Sequence, residues 1–208
     1  MTKEFEMQRR EMVSKQLRSR GIRDEKVLAA MLAVPRDVFV PAAEKSRSYY
    51  DGPLPIGRGQ TISQPYIVAY MTELLRLKGG EKVLEIGTGC GYQTAVLAEI
   101  ARQVYTIEVI AELGERAKRM LTGELSYSNI NFRVGNGRDG WPEFAPFDRV
   151  IITAAPREFP KELFAQMKEG GIAAAPVGNF FQRMYRYFKE KDGIEEDPLI
   201  GVSFVPCV

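Results

Sequence analysis

The residues that most clearly indicate a ligand-binding site form a glycine-rich run between a predicted strand and a predicted helix. The run reads Val-Leu-Glu-Ile-Gly-Thr-Gly-Cys-Gly-Tyr over positions 83–92. In parallel α/β sheets such a loop binds a nucleotide-like ligand, because glycines let the ligand approach the backbone at the start of a helix. The sequence therefore predicts a cofactor site here, with Gly87, Thr88, Gly89 and Gly91 as contacts.

Two acidic residues and one missing glycine indicate which cofactor the loop takes. The dinucleotide fingerprint G-x-G-x-x-G would need glycine where Tyr92 stands. Glu85 comes just before the loop, where a carboxylate would repel a pyrophosphate and attract a cation. Glu108 ends the next predicted strand, which is the position of an acid that hydrogen-bonds ribose hydroxyls. The combination favours S-adenosylmethionine, which carries an ammonium and a sulfonium and no phosphate.

The absence of histidine excludes several kinds of catalysis. The chain has no histidine and two cysteines, Cys90 and Cys207. It therefore cannot form a Ser-His-Asp triad, a Cys-His dyad, a histidine-ligated metal site or a zinc knuckle. We expect no metal cofactor. A carboxylate acceptor would need no general base, because its ordinary pKa of about 4 leaves it ionised at neutral pH.

Length and charge indicate one soluble domain. The chain has 208 residues, of which 29 are basic and 27 acidic, so its net charge is +2. So small a charge does not favour binding to nucleic acid or to an anionic membrane. No apolar run is long enough to cross a membrane, and the charged N-terminus lacks the apolar core of a signal peptide. We expect a cytoplasmic monomer that binds neither nucleic acid nor membrane.

Strand and helix patterns alternate from residue 82 onward, which is typical of a parallel sheet with helices on both faces. Predicted strands cover 82–86, 104–108, 130–134, 149–153 and 171–177, and predicted helices cover 91–101, 111–125 and 160–167. An antiparallel strand pair is predicted at 183–189 and 200–205. We predict a Rossmann-like three-layer α/β sandwich with a mostly parallel sheet of about seven strands. Its single domain, residues 1–208, would comprise N-terminal helices and a loop at 1–80, a cofactor-binding core at 81–178 and the strand pair at 179–208.

The N-terminal segment is predicted to supply helices and one wall of the site. Helices are expected over 3–20 and 24–34. Prolines and glycines over 35–63 forbid a long helix, and the aromatic residues among them favour an ordered lid or wall. Ser63 is a candidate N-cap for a further helix that runs to about Leu77.

Residues 54–66, which read Leu-Pro-Ile-Gly-Arg-Gly-Gln-Thr-Ile-Ser-Gln-Pro-Tyr, form the most specific motif of the chain. Together with the glycine-rich loop, the run at 147–156 and Pro176-Val177-Gly178, they resemble the protein-L-isoaspartate(D-aspartate) O-methyltransferase family over nearly the whole chain. The resemblance implies a class I S-adenosylmethionine-dependent methyltransferase whose last two strands exchange places relative to the commoner order. It also implies methyl transfer to the free carboxylate of L-isoaspartyl residues in damaged proteins and peptides, which initiates repair through a succinimide.

The same resemblance implies roles for individual residues. Ser63 matches the family's active-site serine and would orient the acceptor carboxylate. Glu108 would hold the ribose and Val109 the adenine, while Asn136 stands where the family usually has an acid and Tyr66 where relatives have histidine. The implied cofactor contacts are Gln60, Thr61, Ile62, Ser63, Tyr66, Glu85, Gly87, Thr88, Gly89, Gly91, Glu108, Val109, Asn136, Gly137 and Gln182.

Three alternative functions stay open on the sequence alone. A methyltransferase acting on RNA or a small molecule would share the glycine-rich loop, although Thr153-Ala154-Ala155-Pro156 stands where methyltransferases of base amino groups have an Asn/Asp-Pro-Pro-aromatic run. A nicotinamide oxidoreductase is disfavoured by Glu85 and Tyr92. The third alternative is a binding module without activity. For a polypeptide acceptor, we expect residues 35–63 to form one wall of the site and the C-terminal strand pair the other.

Overall fold

The computed structural model describes residues 3–207, and its N-terminal part is helical as predicted. Helix α1 (Lys3–Glu11) continues as a π-helical stretch, Met12–Leu17, and a 3₁₀ turn, Arg18–Arg20. Helix α2 (Glu25–Ala33) begins after Asp24, whose carboxylate accepts hydrogen bonds from the first backbone N–H groups of the helix.

The segment 35–63 is ordered, as predicted. It contains two 3₁₀ turns, Arg36–Val38 and Ala42–Arg47, followed by an antiparallel hairpin of β1 (Leu54–Gly57) and β2 (Gln60–Ile62). Its aromatic and aliphatic side chains enter the main core, which explains the order of a segment so rich in proline.

The prediction that Ser63 caps the following helix was wrong. Helix α3 (Pro65–Leu74) has Gln64 at its N-cap position, and no side chain accepts a hydrogen bond there. Pro65 itself lacks an N–H, so the first turn has one fewer donor to satisfy. The helix also ends earlier than Leu77, because Arg76 takes a left-handed conformation with φ of 51°.

The predicted three-layer, mostly parallel α/β architecture is confirmed. The main sheet has seven strands in the order β5-β4-β3-β6-β7-β8-β9, of which the first five run parallel and the last two antiparallel to their neighbours. Their bounds are β3 (Lys82–Ile86), β4 (Gln103–Glu108), β5 (Ile130–Val134), β6 (Phe147–Ile152), β7 (Met167–Gly178), β8 (Gln182–Glu190) and β9 (Gly193–Val202). The connecting helices are α4 (Tyr92–Ala98), α5 (Ala111–Lys118, extended by a π-helical stretch, Arg119–Glu124) and α6 (Lys161–Ala165).

Strands β8 and β9 follow β7 across the sheet in the same order as along the chain. This is the exchange of the last two strands that the family resemblance implied. The predicted bounds of the final strand were wrong, because β9 covers Gly193–Val202 and not 200–205. It is an edge strand with mostly exposed side chains, so hydrophobic alternation gives a weak signal for it. Residues 203–207 leave the strand and continue toward the centre of the sheet, where Pro206 pairs with Ala155.

Side-chain alternation along the central strands divides the core into two. Leu84, Ile86 and Ile107 lie on one face with Phe147, whereas Val83 lies on the other face with the N-terminal helices. The chain passes from β3 outward to β5 and then returns to the other side of β3 with β6. Ligands of such sheets bind at this reversal, beyond the carboxyl ends of the strands. Among residues 3–207, no helix is both long and apolar enough to span a membrane.

Candidate active site

A cleft lies at the reversal point of the sheet. It encloses about 900 Å³, including its open mouth. Ten of the predicted cofactor contacts line it: Gln60, Thr61, Ile62, Ser63, Gly87, Thr88, Gly89, Glu108, Val109 and Gly137. The hairpin segment, the glycine-rich loop and the end of β4 therefore meet at one site, as the sequence predicted.

The backbone N–H groups of the glycine-rich loop are used inside the protein. The amide of Gly87 donates to the Ile107 carbonyl at 2.8 Å, and that of Gly89 donates to Glu108 Oε2 at 2.7 Å. The Thr88 hydroxyl pairs with that of Thr106 at 2.6 Å. Because these amides are occupied, the loop lacks the row of free N–H donors that holds a pyrophosphate.

Glu108 joins the two loops that border the cleft. Its side chain is buried, and its second oxygen, Oε1, accepts the N–H of Ile110 at 2.9 Å. A carboxylate has about four acceptor sites, so two remain after the amides of Gly89 and Ile110 are bound. Glu108 can therefore accept hydrogen bonds from ligand hydroxyls while it holds the loops in place.

Glycine is required at two cleft positions by close contacts. Gly87 has φ of 97°, and a Cβ atom there would lie 2.4 Å from Thr153 Oγ1. A Cβ atom on Gly137 would lie 2.2 Å from Ile86 Cγ2. Both substitutions would also narrow the floor of the cleft. The half-exposed side chain of Val109 borders the same region and offers an apolar surface to a flat ring.

Ser63 stands at the cleft with its hydroxyl available. The side chain is half-buried, and among residues 3–207 its hydroxyl has no hydrogen-bond partner. The hairpin that precedes it is held against α5, because Arg116 donates to the Ile56 carbonyl at 2.9 Å and Arg58 pairs with Glu112. The hydroxyl is thus positioned by a fixed backbone and is free to bind a ligand.

Five predicted contacts do not line the cleft, and two of them serve the surrounding structure. Asn136 is exposed, and its Oδ1 accepts the N–H of Arg138 at 3.0 Å, which caps the 3₁₀ turn Gly137–Asp139. Gly91 has φ of 92°, and a Cβ atom there would lie 2.9 Å from Leu121 Cδ1, so it permits close packing of two helices.

Tyr66 and Gln182 also lie outside the cleft lining. Tyr66 stacks on Tyr70, and the guanidinium carbon of Arg20 lies 3.9 Å from the centre of its ring. The Gln182 amide accepts the Phe204 N–H at 2.6 Å and donates to the Phe204 carbonyl at 3.1 Å. Gln182 therefore fixes the C-terminal segment that follows Phe204, and this segment does line the cleft.

Glu85 lies behind the glycine-rich loop and not within the cleft. Its side chain is fully buried, and its Oε2 accepts the Thr94 hydroxyl at 2.6 Å. Its Oε1 is buried without a partner among the described residues. Burial raises the pKa of the Glu85 carboxyl to about 8, the Thr94 and Thr106 hydroxyls oppose the shift, and the Glu108 carboxylate adds to it. In the ligand-free protein Glu85 is therefore mostly protonated at neutral pH, and it does not line the cleft.

Sequence reasoning missed the residues that reach the cleft from distant segments. They are Val68 and Met71 of α3, Ile86 of β3, Cys90, Tyr92 and Gln93 around the start of α4, Ile107 and Ile110 around the end of β4, Thr153 and Ala154 after β6, and Val205, Pro206 and Cys207. The helical members carry the same apolar pattern as core residues, so no local signal separates them. The position of 205–207 depends on pairing with Ala155, whose N–H and carbonyl both bond to this segment. The expected second wall is thus this extended segment and not the strand pair before it.

Comparisons with known proteins show which family the chain belongs to. The family model described as protein-L-isoaspartate(D-aspartate) O-methyltransferase matches residues 7–208. A protein-L-isoaspartate O-methyltransferase of Dictyoglomus thermophilum is 53% identical over 206 residues, which cover 99% of this chain and 93% of that protein. The chain belongs to this family. It is therefore an enzyme that methylates L-isoaspartyl residues.

Solved structures identify the fold as that of a class I S-adenosylmethionine-dependent methyltransferase. A protein-L-isoaspartate O-methyltransferase superposes with a TM-score of 0.88 at 29% identity, over 96% of this chain and 66% of its own. A Plasmodium falciparum relative, described as in complex with S-adenosyl-L-homocysteine, has a TM-score of 0.83 at 25% identity, over 96% of this chain and 98% of its own. Both include the N-terminal helices as well as the sheet.

The buried Glu85 carboxyl predicts an unusual dependence of stability on pH. In the unfolded chain this group ionises above about pH 4.3, whereas in the folded protein it keeps its proton up to about pH 8. The folded state therefore binds more protons in this window, and its free energy of unfolding falls as pH rises, by at most roughly 1.4 kcal/mol per pH unit from this group. Glu85→Gln cannot ionise and should lose this contribution.

The measurement is urea unfolding of wild type and Glu85→Gln at several values between about pH 5 and pH 9. Wild type should lose stability relative to Glu85→Gln up to about pH 8, and the difference should then level off. Glu124→Gln, at an exposed position, is the matched control and should parallel wild type. Parallel profiles for wild type and Glu85→Gln would show that Glu85 is ionised in the folded protein.

Proposed function

We propose that the cleft holds S-adenosylmethionine along the glycine-rich loop and that Ser63 directs the isoaspartyl carboxylate toward it. The observation that carries the cofactor assignment is the hydrogen bonding of the loop. The N–H groups of Gly87 and Gly89 already donate to acceptors within the protein. The loop is therefore bordered by the Glu108 carboxylate and not by free N–H donors at these two positions. These groups suit a cationic ligand with ribose hydroxyls and do not suit a pyrophosphate. This favours S-adenosylmethionine over a nicotinamide dinucleotide.

The residues of the cleft divide between the parts of the cofactor. Glu108 would accept hydrogen bonds from the ribose hydroxyls, and Val109 and Gly137 would border the adenine. Gly87 and Gly89 would allow close approach of the methionine part, and the bound cation would lower the pKa of Glu85 behind the loop and favour its ionised form. Gln60, Thr61 and Ile62 would cover the ligand from the hairpin side. Gln182 and Asn136 would act indirectly, since each orders a segment that borders the cleft.

The reaction needs orientation more than acid–base chemistry. When bound, S-adenosylmethionine would supply a methyl group on a sulfonium: an acceptor carboxylate oxygen would bond to the methyl carbon while the carbon–sulfur bond breaks, its electrons pass to sulfur and S-adenosylhomocysteine leaves. The acceptor is already ionised at neutral pH, so no residue has to remove a proton. The Ser63 hydroxyl would donate a hydrogen bond to the second oxygen of that carboxylate and so aim the first. Orientation of this kind supplies large rate enhancements.

The methylated acceptor is part of a polypeptide, and the cleft has a mouth that suits one. Residues 60–63 and residues 205–207 both line the cleft. We further propose that the protein is a cytoplasmic monomer, that residues 1–208 act as one domain and that the reaction uses no metal. Localisation, oligomeric state, the single domain and the absence of a metal all stay predictions.

The function is tested with two synthetic peptides that differ in a single residue, either L-isoaspartyl or L-aspartyl. Each is incubated with the enzyme and methyl-labelled S-adenosylmethionine, and the base-labile label is counted. We expect label on the isoaspartyl peptide alone, because the cleft must distinguish a free α-carboxylate from a side-chain carboxylate. Equal label on both peptides, or label on neither, would contradict the proposal.

Glu108→Gln should weaken cofactor binding. The amide has a single acceptor oxygen, so one of the two backbone N–H groups held by Glu108 would face an NH₂ group instead. That mismatch is present with and without ligand, but the amide also has too few acceptor sites left for the ribose hydroxyls. Loss of one hydrogen bond to a charged group costs about 1.5–3 kcal/mol, which predicts roughly a tenfold or greater rise in the dissociation constant of S-adenosylhomocysteine. Calorimetric titration measures it. Glu124→Gln is the matched control, and an unchanged constant in Glu108→Gln would remove Glu108 from the cofactor site.

Ser63→Ala should reduce kcat/KM for the isoaspartyl peptide while leaving S-adenosylhomocysteine affinity within about twofold. A hydrogen bond to a charged group contributes about 1.5–3 kcal/mol, which corresponds to roughly a 10- to 100-fold loss. A fall in kcat alone would indicate a role in the transition state, and a rise in KM alone a role in binding. Ser46→Ala, at an exposed position away from the cleft, is the control. Normal kcat/KM in Ser63→Ala would exclude contact with the acceptor.

A further inference from the structure

The turn between β7 and β8 exposes two adjacent aromatic side chains. Phe180 is 93% exposed and Phe181 is 96% exposed. Burying a phenylalanine side chain is worth about 1.5–3 kcal/mol, so a neighbouring pair left in water is unfavourable for the isolated protein. Contiguous exposed apolar surface of this kind marks a contact site.

The turn has a fixed shape that does not depend on the aromatic rings. Gly178 has φ of 132°, and a Cβ atom there would lie 2.1 Å from the Phe181 carbonyl oxygen, so the backbone closes tightly on the glycine. The Gly178 N–H donates to the Pro156 carbonyl at 3.0 Å. At the other end, the Gln182 side chain makes two hydrogen bonds to the Phe204 backbone. The backbone and Gln182 therefore set the shape of the turn. The two phenylalanine side chains are not needed for it and are available to contact another molecule.

The turn lies beside the active-site cleft. Strand β7 runs parallel to β6 and β3, so its carboxyl end is at the same edge of the sheet as the cleft. The residue that Gln182 binds, Phe204, directly precedes Val205, Pro206 and Cys207, which line the cleft. Pro156, which binds Gly178, follows shortly after the cleft residues Thr153 and Ala154. The two phenylalanines are thus carried on the structure that forms the C-terminal wall.

We propose that Phe180 and Phe181 bind apolar side chains that flank the isoaspartyl residue of the polypeptide substrate. The reacting residue enters the cleft, so its chain neighbours must lie on the surrounding surface, and this turn is attached to the segments that line the cleft. Residues 178–182 carry no charge, which suits apolar neighbours. The enzyme would then favour isoaspartyl sites in exposed apolar segments, such as those of partly unfolded proteins. This inference rests on the proposed function.

The size of the patch favours a substrate over a second copy of the chain. A stable interface buries about 800 Å² on each partner. Two phenylalanines can supply roughly 300–500 Å² between them. That area is too small for a stable dimer, but it suits one or two side chains of a transiently bound peptide. Its continuity with the wall of the cleft also points to the substrate.

The test compares two isoaspartyl peptides, one with leucine and phenylalanine around the isoaspartyl residue and one with serine and glycine. Wild type should have the lower KM for the apolar peptide. In the double variant Phe180→Ser/Phe181→Ser, the KM for the apolar peptide should rise about tenfold, equivalent to 1.4 kcal/mol. The KM for the serine–glycine peptide, both kcat values and S-adenosylhomocysteine affinity should stay within about twofold.

A matched control and one further measurement make the test decisive. Met7→Ser removes another exposed apolar side chain, 63% exposed on α1, and should change neither KM. The same KM change for both peptides, or none for either, would overturn the inference. Sedimentation of wild type and of the double variant gives a further check. A wild-type dimer that becomes a monomer in the double variant, with both KM values unchanged, would also overturn the inference, because the two phenylalanines would then form a contact between copies of the chain. Failure of wild type to methylate either isoaspartyl peptide would instead count against the function itself.

Discussion

The carboxylate of Glu108 holds together the two loops from which the cofactor cleft is built. Strands β3 and β4 are parallel and in register, with Ile86 opposite Ile107, so their following loops leave the same edge of the sheet. Glu108 accepts one N–H from each loop, at Gly89 and Ile110. This arrangement fixes the shape of the cleft and also its charge, because the Gly89 amide binds this carboxylate and the Gly87 amide binds the Ile107 carbonyl, so that neither is free for a phosphate. The preference for a cationic cofactor and the rigidity of the site thus come from the same hydrogen bonds.

Glu85 is a second carboxyl at this centre, and it comes at a cost in stability. It faces the core on the side opposite Ile86, between Thr94 and Thr106, with one oxygen unpaired. A buried carboxyl of raised pKa destabilises the fold over the neutral pH range. Carboxyl groups with strongly shifted pKa values cluster at functional sites. A cationic ligand nearby would lower the pKa of Glu85, so its effect on binding and its effect on stability have the same electrostatic origin.

The acceptor side of the site depends on segments that are far apart in the chain. The hairpin ending at Ser63 is held by α5 through Arg116, and residues 205–207 are held by Ala155 and, through Phe204, by Gln182. These contacts fix both segments and leave the Ser63 hydroxyl free. A cleft lined by two such fixed segments suits a polypeptide, and the family to which the chain belongs acts on one. Gln182 and Gly91, which resemble site residues by motif, therefore serve the site by ordering what surrounds it.

Short stretches of sequence were sufficient to predict the features that depend on interactions between neighbouring residues. The alternation of strands and helices, the glycine-rich loop, the acid at the end of β4 and the missing third glycine of the dinucleotide fingerprint predicted both the architecture and the cofactor class, since each depends on neighbouring residues. Tertiary structure decided which side of a strand faces the ligand, so Glu85 lies behind the loop while Ile86 lines the cleft. It also decided that Gln64, and not Ser63, begins α3, and that the C-terminal segment closes the site. These features depend on contacts between distant residues, whose geometry is set only when the sheet and its layers have packed.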